Sequence, residues 1–483
     1  MRKMKHRRKI HNLPGKIITL VGLAVSGFFY LSLWNSKMVP NRYLMIVGIV
    51  LLLIFAACFA LQFCKKKIYI AGIIISVLCS LILGTGGYFL HRVNTALDKV
   101  GGASYKTDNM IAVVRVDDPA ESLDDIRSYK IATQNAVDQK NTDLMLGRMR
   151  EVMNGNFNVT GYESVEVLAQ ALLDKETDVA VYNDAFTSII EDSIEDYSDK
   201  IKIIYQYEIN TDLDESKKDK GPIQDRVFHI YISGIDVYGP ISTNSRSDVN
   251  IIMSVNPESK QILLTTTPRD YYVEIPEISG ESKDKLTHAG IYGVDRSMAT
   301  LDSIYGINID YYARVNFTSL IKMVDVLGGI DVNSQHTFSA GGYDFTEGSN
   351  HLTGEQALAF ARERYSFEDG DNQRGKNQEA VIVGMLQKAM SPAILKDAPA
   401  LIDSVSDSVE TNMSRKEMAA LINMQLDEGG SWNIVSANAV GTGDSQSCYS
   451  SGSQLLYVMQ PDWASVNVIK QKLKDLDQGN ILK

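Results

Sequence analysis

Acidic residues are missing from the first 90 positions of this 483-residue chain, and cysteine is scarce throughout, with four in all. Three of the four, Cys58, Cys64 and Cys79, lie in or beside apolar runs, and only Cys448 lies beyond them. One cysteine cannot close an internal disulfide, so the C-terminal part must hold together by core packing. No CxxC or Cys/His spacing suits zinc, and no GxSxG marks a serine hydrolase. There is no internal repeat and no low-complexity tract. The first 90 residues hold 12 Lys and Arg, which leaves 36 to face all 59 Asp and Glu in the remainder, a net −23. A field of that sign repels nucleic acid, so no nucleic-acid partner is expected.

What the N-terminal part has is length of apolar sequence. The runs Ile17–Leu33, Tyr43–Phe63 and Ile68–Leu90 each approach the roughly 20 residues that cross a hydrocarbon core. Two further runs follow the first, which argues for a span rather than a cleaved signal peptide. Seven Lys and Arg precede the first run, and Lys65, Lys66 and Lys67 separate the second from the third, whereas the first loop has only Lys37 and Arg42. The positive-inside bias predicts a cytoplasmic basic tail over residues 1–16, three spans within residues 17–90, and everything later outside the cell membrane. Residues 98–209 alternate strand-like runs (MIAVVRV, DVAVYN, KIKIIYQYEI) with helical ones, which predicts a small α/β accessory domain. Its acidic run EDSIEDYSDK reads as a solvated face. Residues 210–225 are polar with Gly-Pro and read as a linker. Residues 226–483 open with the strand RVFHIYISGID and the hairpin VNIIMSV–NPESK–QILLTTT, then turn largely helical. The order predicts an α/β/α layered catalytic domain on a central mixed sheet.

One stretch, ARERYSFEDGDNQRGKNQE, gathers Arg362, Arg364 and Arg374 in an otherwise acidic region. Thr353 with Gln356 forms a capping box, so a helix starts there. Ala357, Phe360, Ala361 and Arg364 then fall on one face, with Arg362 one turn from Leu358. Arg374, Gln378, Val381 and Met385 share a face of the next helix, whose free N-terminal amides favour an anion. Local pairing with Glu368, Asp369 or Asp371 is the plain alternative. Elsewhere, SGID places Asp236 just after a strand, SRSDVN places Arg246 and Asp248 two apart on one strand face, and TTTPRD ends a hairpin on Arg269. Two carboxylates and several guanidiniums at element ends suit a divalent cation with a phosphate or pyrophosphate.

SGID, SRSDVN, TTTPRD, KLTHAG, LTGEQALAFARER and GDNQRGKNQE, in that order over about Arg226–Met390, resemble the LytR-CpsA-Psr family, and the three spans with an accessory domain resemble its streptococcal CpsA branch. The resemblance implies a phosphotransferase that moves a glycopolymer, capsular polysaccharide in that branch, from a polyprenyl-pyrophosphate carrier to peptidoglycan. It implies Mg²⁺, with Mn²⁺ as an alternative, on Asp236 and Asp248. It implies pyrophosphate contacts from Arg246, Arg269, Arg362, Arg364, Arg374 and Gln378. Among these, Arg246, Arg269 and Asp248 with Asp371 form the expected catalytic set. Asp371 or a carboxylate of the metal pair takes the acceptor's proton. Many members carry a second arginine in an RxxRQQ run where this chain has Asn377, with Lys376 as the substitute cation. An apolar channel for the prenyl tail is implied too, and the helical stripe Phe317, Leu320, Ile321, Val324 and Leu327 is either its lining or ordinary core. The expected partners are the lipid-linked glycan, peptidoglycan, the bilayer and capsule-assembly membrane proteins. A pyrophosphatase using water, and a non-catalytic regulator of capsule assembly, are the competing expectations.

Overall fold

The computed structural model describes residues 13–36, 39, 41–64, 67–100, 105–212, 221–235, 244–368, 370–391 and 409–483. These fall into two compact units. The first contains helices Leu13–Ser36 (α1), Asn41–Leu61 (α2) and Ile68–Val100 (α3), together with the later helix Arg415–Glu428. Segments Leu13–Trp34, Tyr43–Leu61 and Ile68–Tyr88 are long and apolar enough to cross a membrane. Their Leu, Ile and Val side chains are largely exposed, as lipid-facing residues are. The three helices contact one another pairwise, and Ser76 meets Thr19 across α1 and α3 at 3.5 Å.

The second unit carries, among the described residues, two main sheets and four two-stranded ladders. The smaller sheet has strands Tyr105–Arg115 (β1), Ile131–Gln134 (β2), Val159–Tyr162 (β3), Val179–Asn183 (β4) and Ile201–Asp212 (β5), in the order β3-β2-β4-β1-β5. Helices Gln139–Met153 (α4), Val165–Leu173 (α5), Thr187–Glu191 (α6) and Tyr197–Lys200 (α7) join them. Side chains alternate along β1, so Met110, Ala112 and Val114 pack with Met145 and Met149 of α4, while Ile111 and Val113 pack with Leu168 and Leu172 of α5. A strand buried on both faces reads as one continuous apolar run, which is why MIAVVRV shows no polar alternation. β5 reaches Asp212, three residues into the expected linker.

The larger sheet has six strands. Phe228–Ile235 (β6), Ser247–Asn256 (β7) and Gln261–Thr266 (β8) form an antiparallel meander. A short ladder, Tyr272–Val273 (β9) with Asp284–Lys285 (β10), leads into helices Leu286–Ala289 (α8) and Val294–Tyr305 (α9). Tyr311–Asn316 (β11) then pairs parallel to β6, and helix Phe317–Val326 (α10) follows. Four short strands, Ile330–Ser334 (β12), Phe338–Ala340 (β13), Tyr343–Phe345 (β14) and Gly348–Leu352 (β15), precede helices Gly354–Arg362 (α11) and Asp371–Ala389 (α12). Val409–Thr411 (β16) and Asn433–Asn438 (β17) complete the order β16-β11-β6-β7-β8-β17. Pairs β6/β11 and β8/β17 are parallel and the others antiparallel, so the sheet is mixed, as expected. A hairpin, Gly441–Ser447 (β18) with Leu455–Pro461 (β19), and helix Trp463–Asp477 (α13) end the chain. One core joins Tyr231, Ile252 and Leu263 of the sheet to Leu301 of α9 and to Val466 and Ile469 of α13.

Candidate functional site

The pairing of β6 with β7 skips one residue. Gly234 faces Val249 and Ile235 faces Ser247, which leaves Asp248 without a partner in a β-bulge. A Cβ at Gly234 would come within 2.5 Å of the Val249 side chain, so the crossing requires glycine. Bulges re-aim side chains, and here the carboxylate of Asp248 turns toward the end of β8. Its Oδ1 accepts hydrogen bonds from Arg269 Nη1 at 2.7 Å and from Thr287 Oγ1 at 3.3 Å. Arg269 itself is fixed by its carbonyl, which accepts from the Thr287 amide at 2.8 Å.

The bulge corrects one expectation. Alternation along a strand does not carry across an extra residue, and β7 begins only at Ser247. Asp248 lines a cleft, whereas Arg246 stands outside the lining and donates to Asp192 at 2.7 Å. Asp192 belongs to EDSIEDYSDK, so that run is not purely a solvated face.

The cleft encloses about 540 Å³, counting the part open to solvent. Besides Asp248 and Arg269 it is lined by Asp371, Arg374, Lys376 and Gln378, all from α12. The first turns of α12 lie close to β8, since a Cβ on Gly375 would meet the Thr266 methyl at 2.9 Å. Arg374 forms an ion pair with Asp371, so the plain alternative of local pairing holds for that arginine. Asn377 is buried on another side of α12 and donates to the Phe360 carbonyl at 3.2 Å. It is a packing residue, and Lys376 joins Arg374 as a cation of this segment that reaches the cleft.

Arg362 and Arg364 depart from expectation. The capping box of Thr353 and Gln356 forms as read, but α11 ends at Arg362 and Glu363 is extended. Arg364 therefore leaves the helical stripe whose other members, Ala357, Phe360 and Ala361, are buried. Its guanidinium lies 4.6 Å from the Tyr365 ring centroid. Arg362 is exposed and stacks 4.3 Å over the Phe317 ring, so it needs no buried partner. Neither residue lines the cleft. Asp236 and Asp369 lie outside the described residues.

Charge sets the character of the cleft. Burial works against ionisation of Asp248, but Arg269, Arg246 and Arg374 more than offset it and hold the carboxyl below the usual carboxylate value. Arg374 is pushed the other way. Burial, with Arg269 and Arg364 nearby, lowers its basicity despite Asp371 and Asp248. Cations that crowd one another in a partly dry cleft mark a place where an added anion is favourable.

Glu379 was not legible as a site residue. It is 2 % exposed, and its carboxyl accepts from Thr266 Oγ1 at 2.7 Å and Asn438 Nδ2 at 3.3 Å, two residues of the cleft lining. Burial raises it to about 7, against the opposing hydrogen bonds of Thr266, Ser436 and Asn438. Thr287, inside KLTHAG, was equally silent. Its hydroxyl matters only because the bulge brings Asp248 to it.

The LytR_cpsA_psr family model matches residues 197–474, from α7 to α13. The chain belongs to the LytR_cpsA_psr family. The polyisoprenyl-teichoic acid–peptidoglycan teichoic acid transferase TagU of Enterococcus faecalis is 37% identical over 211 residues, covering 43% of this chain and 68% of that protein. The protein of the same name from Bacillus mycoides is 34% identical over 190 residues, covering 39% of this chain and 61% of its own length. Among solved structures, B. subtilis TagV aligns with a TM-score of 0.45 at 26% identity, covering 53% of this chain and 98% of the other.

Proposed function

We propose that this chain is a membrane-anchored phosphotransferase that moves a glycopolymer from a polyprenyl-pyrophosphate carrier onto peptidoglycan at the outer face of the cell membrane. The observation that carries the reading is the cleft, where Arg269, Arg374 and Lys376 accompany Asp248 and Asp371 at the start of β7 and the ends of β8 and β17. Guanidiniums present planar forks that match phosphate oxygens bidentately. The relatives' names give the reaction class, a polyisoprenyl carrier and a peptidoglycan acceptor. The positive-inside bias, with three apolar helices, favours a cytoplasmic N-terminus and an external cleft.

Arg269 and Arg374 hold the pyrophosphate, with Gln378 as a polar contact, and offset charge developing on the departing polyprenyl phosphate. An acceptor hydroxyl of peptidoglycan attacks the phosphorus that bears the glycan. The bond to polyprenyl phosphate breaks, a phosphodiester forms, and Asp371 takes the hydroxyl proton. Asp248, a carboxylate of the cleft that its arginine neighbours hold below the usual value, is the hard oxygen donor that suits Mg²⁺ or Mn²⁺. Asp248 with Asp236 would hold the cation, which when bound supplies positive charge that polarises the pyrophosphate. The half-buried Phe317, Leu320 and Ile321 of α10 offer an apolar wall for a prenyl tail.

Capsular polysaccharide is the finer donor reading, and teichoic acid, in the relatives' names, is its competitor. The test incubates the full chain in detergent with each lipid-linked glycan, Mg²⁺ and peptidoglycan fragments. Phosphodiester-linked product from the capsular donor, lost in Asp248→Ala and Arg269→Ala, is the expected result. Product from the teichoic donor alone corrects the donor. Free glycan phosphate without linkage makes the protein a pyrophosphatase. Lipid binding without turnover makes it a regulator.

A further inference from the structure

The family model begins at residue 197, so nothing in it accounts for β1–β4 or for the segment after α6. That segment is firmly seated. Ile189 and Ile190 before it and Tyr197 after it are fully buried. From it Asp192 Oδ2 reaches Arg246 Nη1 at 2.7 Å, and Ser193 Oγ donates to Gln454 Oε1 at 2.8 Å, a residue beside β19. The smaller sheet's domain therefore sets a carboxylate against an arginine two residues before Asp248. Both partners keep some solvent contact, 34 % for the Asp192 side chain and 23 % for Arg246.

We infer that the accessory domain contributes Asp192 to the phosphate site, as an internal anion that holds Arg246 outside the cleft until a substrate phosphate displaces it. Arg246 and Asp248 flank Ser247, the first residue of β7. Only Asp248 lines the cleft, while the guanidinium of Arg246 is turned to Asp192. A carboxylate offers one negative charge. A pyrophosphate offers more charge and more acceptor oxygens to the same planar fork, so it wins when present. An ion pair this exposed shifts an equilibrium by up to about fivefold, enough to tune affinity and weak enough to be broken. Asp192 thus acts as a positioning residue through Arg246 and touches no reacting atom.

The inference rests on the proposed pyrophosphate cradle, and the test separates the two. Binding of inorganic pyrophosphate is measured by calorimetry on the full chain in detergent. The variants are Asp192→Asn, Asp192→Ala, Arg246→Ala, Arg269→Ala and the double variant Asp192→Asn/Arg246→Ala. Removing the Asp192 charge should tighten binding about two- to fivefold. Arg246→Ala should weaken it, and the double variant should match Arg246→Ala, because the competitor has no effect once its target is gone. In turnover the same charge removal should lower KM and leave kcat unchanged. A purely structural role for Asp192 predicts no such dependence on Arg246. Weaker or unchanged binding in both Asp192 variants, with Arg246→Ala still impaired, overturns this inference alone. Binding that ignores both Arg246→Ala and Arg269→Ala overturns the cradle and this inference with it.

Discussion

The two main sheets of the larger unit both bury carboxylates, and they do so in opposite ways. In the smaller sheet, Asp138 accepts from Asn183 at 3.0 Å and Asn141 at 2.8 Å, and Asp108 accepts from Asn183 at 3.2 Å and Asn244 at 2.9 Å. Their hydrogen-bond partners are neutral amides. Burial raises Asp138 to about 7, against those hydrogen bonds, and pushes Asp184 up as well. At the larger sheet Asp248 meets the Arg269 guanidinium and stays below the usual value. An amide satisfies a carboxyl whether or not it is ionised, whereas a guanidinium fixes the charge. The smaller sheet uses its acids as scaffold, and the cleft keeps its own charged. Glu379 shows that position alone does not decide this. It borders the cleft, yet its hydroxyl and amide partners let it drift to about 7, like the scaffold acids.

Arg269→Ala should break the contrast most. It strips Asp248 of its strongest partner, so the carboxyl should titrate upward toward the scaffold acids. Loss of one such donor typically costs on the order of 100- to 1,000-fold in turnover. Steady-state assay with lipid-linked glycan gives the loss, and a shift of the acidic limb of the pH–rate profile toward neutrality reports Asp248.

The pH dependence of stability should separate the two kinds of acid by sign. Glu379 and Asp138 keep their protons in the folded state up to about 7. In the unfolded chain such groups lose them near 4. Each therefore favours folding fully below about 4 and loses that contribution as pH rises toward 7, on the order of 4 kcal/mol apiece. Asp248, held low, contributes in the reverse sense, present above about 4 and lost in acid. Thermal melts of the full chain between pH 5 and 8 should flatten in Glu379→Gln and Asp138→Asn. A slope unchanged in either variant would mean that its carboxyl is ionised throughout.

Much of this contrast was readable beforehand, and the unreadable part has a geometric cause. The capping box at Thr353 and the hairpin across NPESK are local signals, and both formed where read. Asp248, Arg269 and Arg374 could be chosen because each sits at the end of an element, where chemistry gathers. The bulge at Asp248 could not, since it exists only in the register between β6 and β7, and the alternation rule then misplaced Arg246. Asp192 lies 54 residues before Arg246, and no local pattern links them. The end of α11 was missed because no glycine or proline punctuates it. Glu363 simply turns extended, and Arg364 leaves the stripe with it.

The smallest expected effects belong to Arg362 and Arg364, which, unlike Arg246, are outside the cleft lining without a carboxylate among the described residues to hold them there. Arg362 is exposed and stacked on Phe317, a contact worth about 0.5–1 kcal/mol at such a site. Arg362→Ala should lower the melting temperature by a few degrees at most. If the cleft works as it stands, it should cost turnover less than about tenfold, because screening weakens a charge outside the lining. Arg362→Lys keeps the charge but not the planar face, so it should resemble the alanine variant in melting and wild type in turnover. The comparison with Arg269→Ala decides what the cleft is. Equal losses in turnover would mean that the end of α11 closes onto the pyrophosphate when the donor binds, carrying both arginines into contact. A large gap between them would confine the anion to the cradle of β7, β8 and α12, with α11 serving only to frame its entrance.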